Sequence, residues 1–195
     1  MTRLLIIFFF FNFISIISIG QRMGDYYVPV SIDSAQGGRL RFLTDSTVEL
    51  STLPQHLSRS LKVIYKYIST DTAIQISPYP INTSDISPIE ETILTKIEGG
   101  FINYEKSLIY VRQKDFDKYP DIIYLIDGKR YIQDAGKQNG YGLVTKSPKI
   151  NKRLKRKIKR LPDDSFTVEL VKGLNAYKRF GIKYVFGTIV ITTKK

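Results

Sequence analysis

From residue 25 onward the chain alternates short apolar and polar stretches, and the period of that alternation predicts its elements. In "GGRLRFLTDSTVEL", Leu40 and Phe42 alternate with Arg39 and Arg41. A polar turn at 44–47 follows, then Val48 and Leu50. "LKVIYKYI" (61–68) and "AIQI" (73–76) are rich in β-branched and aromatic residues, with Ser-Thr-Asp-Thr between them. Short strands at this spacing predict a small antiparallel sheet or half-barrel. "SPYPINTSDISP" (77–88) holds three prolines and predicts a linker and a domain boundary. Within it, Asn82-Thr83-Ser84 is formally a glycosylation sequon, a pattern short enough to arise often by chance.

Past the linker the period changes. Ser87 and Glu90 have capping-box spacing, and Pro88 suits a first helical position. Ile89, Ile93 and Ile97 recur every four residues, predicting a helix that Gly99-Gly100 stops. "FIN" and "SLIYV" flank 104–106 as a hairpin. "DIIYLI" (121–126) is a continuous apolar run, expected of a strand buried on both faces. Asp127-Gly128 then turns the chain into a short return strand at Tyr131 and Ile132, since both turn residues tolerate positive φ. Residues 136–142 read as a loop. Ser147-Pro148 predicts the start of a helix over 149–161, with Ile150, Leu154, Ile158 and Leu161 on one face and Pro162 ending it. "SFTVELVK" is a strand, "GLNAYKRF" two helical turns, and "GTIVITT" a last strand. Gly181 is expected to end the short helix with positive φ, and Gly187 to allow close backbone approach.

The first twenty residues stand apart. Arg3 precedes an apolar run from Leu4 to Ile19, and Ser18 and Gly20 are small residues suited to cleavage before Gln21. This is the layout of a secretory signal peptide, and the run is short for a spanning helix, which needs roughly 20 residues. The expected organisation is therefore a signal peptide (1–20), an N-terminal β-rich region (21–80) and an α+β domain (81–195). With no cysteine, an exported protein of this sequence has no disulfide, thiol nucleophile or cysteine-based metal site. One histidine, His56, leaves little for histidine chemistry and reads as a loop residue.

The formal net charge is +12. Nine Lys and Arg fall between Lys146 and Arg160 without an intervening acid, so neighbouring charges repel on the helix. Lys152, Arg153, Lys155, Arg156, Lys157, Lys159 and Arg160 are the candidate residues for an anionic partner such as a membrane surface or polysaccharide. The competing reading is a packed amphipathic helix whose cations are simply solvated. The segment has no aromatic side chain to stack on bases, which disfavours nucleic acid. No nucleophile elbow, phosphate loop, zinc-protease helix or dinucleotide fingerprint is present. Asp121, Asp127, Asp163, Asp164 and Glu169 show no spacing that singles out an acid–base pair. No catalytic residue, cofactor or metal is expected, and an unrecognised enzyme ranks third among the readings.

The C-terminal phrase resembles the plug domain of TonB-dependent outer-membrane receptors of the SusC-like kind. The residues that carry the resemblance are Asp127-Gly128-Lys129 after "IIYLI", then Pro162-Asp163-Asp164 and Glu169-Leu170-Val171-Lys172. Ala176, Phe180-Gly181, Lys183, Gly187 and Ile189 to Lys194 complete it. It covers roughly 119–195. Phe186 stands where the family has Asn, and Asn175, Lys178 and Arg179 replace small residues. The resemblance implies a plug-like α+β domain with a mixed sheet and short helices, its signature residues Asp127, Gly128, Lys129, Lys172, Gly181 and Gly187 acting as scaffold. It also implies a non-enzymatic accessory module, periplasmic or bound to the outer membrane, with an envelope protein partner of barrel or TonB type. Transport is not implied, because no barrel of many amphipathic strands fits in the remaining chain. The alternative expectation is a cationic envelope-surface protein acting through the basic helix.

Overall fold

The structure is a computed structural model, and it describes residues 23–30, 38–51, 61–83, 86, 89–120, 122–133, 151–161 and 165–194. Eight strands follow one another around a closed barrel: β1 (Tyr26–Val30), β2 (Arg39–Phe42), β3 (Thr47–Ser51), β4 (Lys62–Ser69), β5 (Ala73–Pro80), β6 (Thr92–Ile97), β7 (Gly100–Asn103) and β8 (Leu108–Arg112). Every neighbouring pair is antiparallel, and β8 returns to β1 with Val28 opposite Val111 and Val30 opposite Ile109.

Alternation along each strand decides what points inward. Tyr27, Leu40, Phe42, Val48, Val63, Tyr65, Tyr67, Ile74, Ile76, Leu94, Phe101, Leu108 and Tyr110 form the interior cluster. Four of these rings fill one end of the barrel. Tyr27 meets Phe101 with centroids 4.8 Å apart and Phe42 at 5.7 Å, while Phe42 meets Tyr67 at 5.2 Å, all edge-to-face. Such geometry is worth about 0.5–1.5 kcal/mol per pair beyond area burial. The Tyr67 hydroxyl donates to the Thr44 carbonyl at 2.8 Å, tying this plug to the β2–β3 turn.

Outward positions include Arg39, Arg41, Lys62, Lys66, Gln75 and Lys96. Strands of four to eight residues, apolar inside and charged outside, invert the pattern of a membrane barrel. Membrane strands run roughly 9–11 residues and carry their apolar band outside. Among the described residues no helix is long and apolar enough to cross a membrane.

A 3₁₀ turn at Gln113–Lys118 leads to a second, four-stranded sheet ordered β10-β9-β12-β11. Its strands are β9 (Ile122–Ile126), β10 (Lys129–Gln133), β11 (Phe166–Val171) and β12 (Thr188–Thr193), with β9 and β12 parallel and both edge pairs antiparallel. Helix α1 (Lys152–Ile158) packs Leu154 against Ile126 and Ile191 on one face. Helix α2 (Gly173–Phe180) and the residues after it join the sheet to the barrel. Leu174 and Val185 pack on the outward side chains of Val30, Ile102, Ile109 and Val111. Phe186 lies 4.8 Å from Phe116, edge to face, and 6.0 Å from Tyr119. Phe186, one of the departures from the receptor-plug pattern, is thus a packing residue of this junction.

The expected fold class is overturned. The chain is not a small β-region followed by a plug-like α+β domain. Among the described residues it is predominantly β, with a closed barrel, a small mixed sheet and two short helices. The break expected between 80 and 81 lies inside the barrel, where β5 runs through Pro80 and pairs with β6. The helix expected from Ser87 is instead strand β6. A four-residue apolar repeat is also a multiple of the strand period of two, so Ile93 and Ile97 share a strand face as readily as a helix face. Leu94, between them in sequence, is the residue that is fully buried. Gly99, with φ of 76°, and Glu98 form the tight β6–β7 turn. A Cβ on Gly100 would collide with the Tyr110 carbonyl across the ladder. The strands expected around 39–50, 61–68 and 73–76, the hairpin about 104–106 and the turn at Asp127-Gly128 are present, with β5 running on through Pro80 into the expected linker.

The β1–β8 seam is flanked by buried ions. Arg112, ending β8, donates through Nε to Asp115 at 2.7 Å and lies 3.8 Å from Asp25. Lys114 pairs with Asp25, and Lys118 with Asp115 at 2.6 Å. Burial alone would raise the Asp115 pKa, but hydrogen bonds from Lys118 and Arg112 outweigh it and hold the carboxyl below its ordinary value. A depressed carboxyl contributes stability above the ordinary range, near about 4, and loses it as pH falls through the lowered value. Replacing Arg112 with Met leaves two buried carboxylates short of a partner and should cost about 3 kcal/mol at neutral pH. The cost should shrink in acid, where Asp115 is protonated. Urea unfolding at neutral and acidic pH checks this, and an equal loss at both would contradict it.

Candidate functional site

The aromatic plug fills only one end of the barrel. Towards the other, the inward residues become aliphatic and leave a cavity of about 530 Å³. Leu40, Val48, Leu50, Ile76, Leu94 and Leu108 supply most of its wall, with Tyr65 and Tyr110 among them. The β7–β8 turn and the β5–β6 connection meet at this end. Ile86 and Ile89 from the connection pack onto the interior cluster, and the Ile89 amide donates to the Pro78 carbonyl at 3.0 Å.

The polar groups of the cavity gather at the β7–β8 turn. Asn103, at 1% exposure, is the last residue of β7 and is in phase with inward-facing Phe101. Its Oδ1 accepts the Lys106 amide at 2.9 Å, which caps the turn. Its Nδ2 is buried and has no hydrogen-bond partner. Thr92, Glu105 and Lys106 complete the polar side of the wall. Lys106 Nζ lies 4.0 Å from exposed Glu90. Burial raises the phenol pKa of Tyr65, and pushes that of Tyr110 up to about 12.

None of the candidate site residues named from the sequence lines this cavity. Lys152, Arg153, Lys155, Arg156, Lys159 and Arg160 are exposed on and just after α1, far along the chain in the second unit. Lys157 is half-buried and lies 3.8 Å from Asp127. The helix is shorter than expected: Asn151 caps it by accepting the Arg153 and Leu154 amides, while Ile150 and Ser147-Pro148 lie outside the described residues. Ile158, expected to pack, is 41% exposed. Arg130 and Arg153 share a shallow groove of about 310 Å³ with Tyr131, Ile132 and Asn151.

The scaffold residues have local jobs. Asp127 and Gly128 turn β9 into β10 with φ of 48° and 76°. Asp127 Oδ1 also accepts the Thr193 amide at 2.9 Å and its hydroxyl at 3.0 Å, bonds that depress its carboxyl pKa and pin the end of β12. Lys129 opens β10, and Lys172 precedes α2 in extended conformation. Gly181 ends α2 with φ of 91°, as expected. The Gly187 carbonyl accepts the Ile123 amide at 3.0 Å, aligning β12 with β9. Glu169 pairs with Arg179 at 2.6 Å on the surface. Asn82 bonds the Ile64 amide at 2.8 Å, a structural use of the sequon asparagine. His56, Asp121, Asp163, Asp164 and residues 1–20, where a signal peptide is expected, lie outside the described residues. Among the described residues no group of three or more His, Asp or Glu is placed to hold a metal.

Sequence reasoning missed the cavity residues Asn103, Lys106, Tyr65 and Tyr110. One signal was available for Asn103: a polar residue in phase with the apolar positions of "FIN". A neutral, buried Tyr110 stabilises the fold below the ordinary tyrosine value of about 10 and loses that contribution as pH rises towards about 12. Tyr110→Phe should therefore flatten the alkaline end of the stability–pH curve, read from urea midpoints. An unchanged curve would place the hydroxyl in water. Comparison of the chain with protein-family models, with curated proteins and with solved structures found no match.

Proposed function

We propose that this protein binds a small, predominantly apolar molecule inside its barrel, as an exported binding protein and not an enzyme. The observation that carries the reading is the division of the barrel interior. One end is closed by four packed rings, yet the other keeps about 530 Å³ open behind aliphatic walls. Eight strands leave an interior just wide enough either to fill with side chains or to hold one small ligand. Ligand sites run roughly 300–1,000 Å³, mostly apolar with a few placed polar groups. An apolar void of this size forfeits packing energy unless something occupies it. The leader pattern of residues 1–20 supports an envelope or extracellular setting.

The chain has no tryptophan, so an introduced one is a clean reporter. The wild-type protein should enhance the fluorescence of N-phenyl-naphthylamine with one site per chain. Leu108→Trp, filling the cavity at its open end, should weaken that binding at least tenfold, on the scale of about 1.4 kcal/mol. Val48→Phe is the milder companion if the larger ring perturbs folding. A protein that leaves the probe dark, with circular dichroism confirming its fold, would sink the proposal.

A second reading rests on a different surface. Six cations on and after α1 are exposed beside the Arg130–Arg153 groove, which supports contact with an anionic envelope component. Reversing Lys155, Arg156 and Lys159 to Glu should abolish sedimentation with phosphatidylglycerol vesicles and leave unfolding unchanged. Retained sedimentation would remove this reading without touching the cavity.

A further inference from the structure

Apart from the hydroxyl-bearing Thr92, Tyr65 and Tyr110, the polar residues of the cavity wall sit at the β7–β8 turn, and the chemistry there is directional. An asparagine amide can present either its oxygen or its nitrogen, and the turn decides which. The Lys106 N–H needs an acceptor, and Asn103 Oδ1 supplies it at 2.9 Å. The Nδ2 donor is then forced to the other side of the amide. It is buried in a residue that lines the cavity, and no protein group accepts from it. Leaving a buried donor unmade is unfavourable, and a ligand oxygen removes that cost. Glu105 on the wall and Glu90 beside Lys106 offset the one nearby ammonium, so the mouth does not favour an anion.

We infer that the ligand is an elongated aliphatic molecule carrying one uncharged acceptor oxygen, a ketone, ester or amide carbonyl, bonded to Asn103 Nδ2, with its hydrocarbon part among Leu40, Val48, Ile76 and Leu94. This rests on the cavity being a binding site. Asn103 becomes the specificity-determining residue, and its turn-capping oxygen is what aims the donor.

Competition against N-phenyl-naphthylamine tests it with methyl nonyl ketone, dodecane, decanoate and undecylamine, all with the same number of heavy atoms. The wild-type protein should bind the ketone on the order of tenfold tighter than dodecane, and tighter than decanoate. Asn103→Asp keeps an oxygen for the Lys106 amide, so the fold survives, but its ionised form has no donor. Its ketone preference should vanish and undecylamine should gain. At a pH low enough to protonate the new carboxyl, the donor and the ketone preference should return. Equal affinity of the wild-type protein for ketone and dodecane would overturn the inference while leaving the cavity reading intact. So would tighter binding of decanoate, or an unchanged ketone preference in ionised Asn103→Asp. Binding of none of the probes would overturn the cavity reading itself. The wild-type comparison stands whether or not the variant folds.

Discussion

The width of an eight-stranded barrel is set by its strand number and stagger, not by what is put inside it. Side chains must then divide a fixed interior between packing and void. Here Tyr27, Phe42, Tyr67 and Phe101 close one end in edge-to-face contact. Leu40, Val48, Ile76 and Leu94 are too small to do the same at the other. The plug gives the barrel its core, and the aliphatic end gives it a compartment. Because the strands carry charge outside and apolar groups inside, the same alternation that builds the compartment keeps the barrel wettable.

The second unit depends on the barrel in turn. Val30, Ile102, Ile109 and Val111 are apolar on the outward side of the wall, against the general pattern of the exterior. They are covered by α2 and by Phe186, which brings Phe116 and Tyr119 into the same contact. The small sheet is consequently attached to the seam strands and their neighbour β7, the region where the ion pairs of Arg112 also sit. Closure of the barrel, docking of the sheet and charge neutralisation thus converge on one side of the molecule.

Much of this was written locally in the sequence, and some was not. Alternation and turn chemistry placed the 39–51 hairpin, the Asp127-Gly128 turn and the helix over "GLNAYKRF", because each depends on residues a few positions apart. The stretch around Ile93 failed because a repeat of four satisfies both periods, and only pairing with β5 and β7 decides between them. Barrel closure left no local trace at all, since it joins residues 79 to 85 positions apart. The C-terminal phrase pointed to turns and caps that are present, but to the wrong architecture, because it said nothing about β6 to β8. The binding residues were hidden for the reason that makes Asn103 informative: one polar side chain in an apolar register looks like noise until the cavity behind it is seen.

The pairing of β1 with β8 also sets an order in time. Each neighbouring hairpin can form from residues already side by side, at little entropic cost. The seam cannot, because the second edge of β1 must wait for β8, 79 to 85 positions on, before it has a partner. A ribosome has therefore delivered seven strands before the outer edge of the first can pair, although its inner edge pairs with β2 early, and the chain emerges as an open, curling sheet with apolar groups on its concave side. Until the eighth strand arrives, that concave apolar surface is open to other contacts.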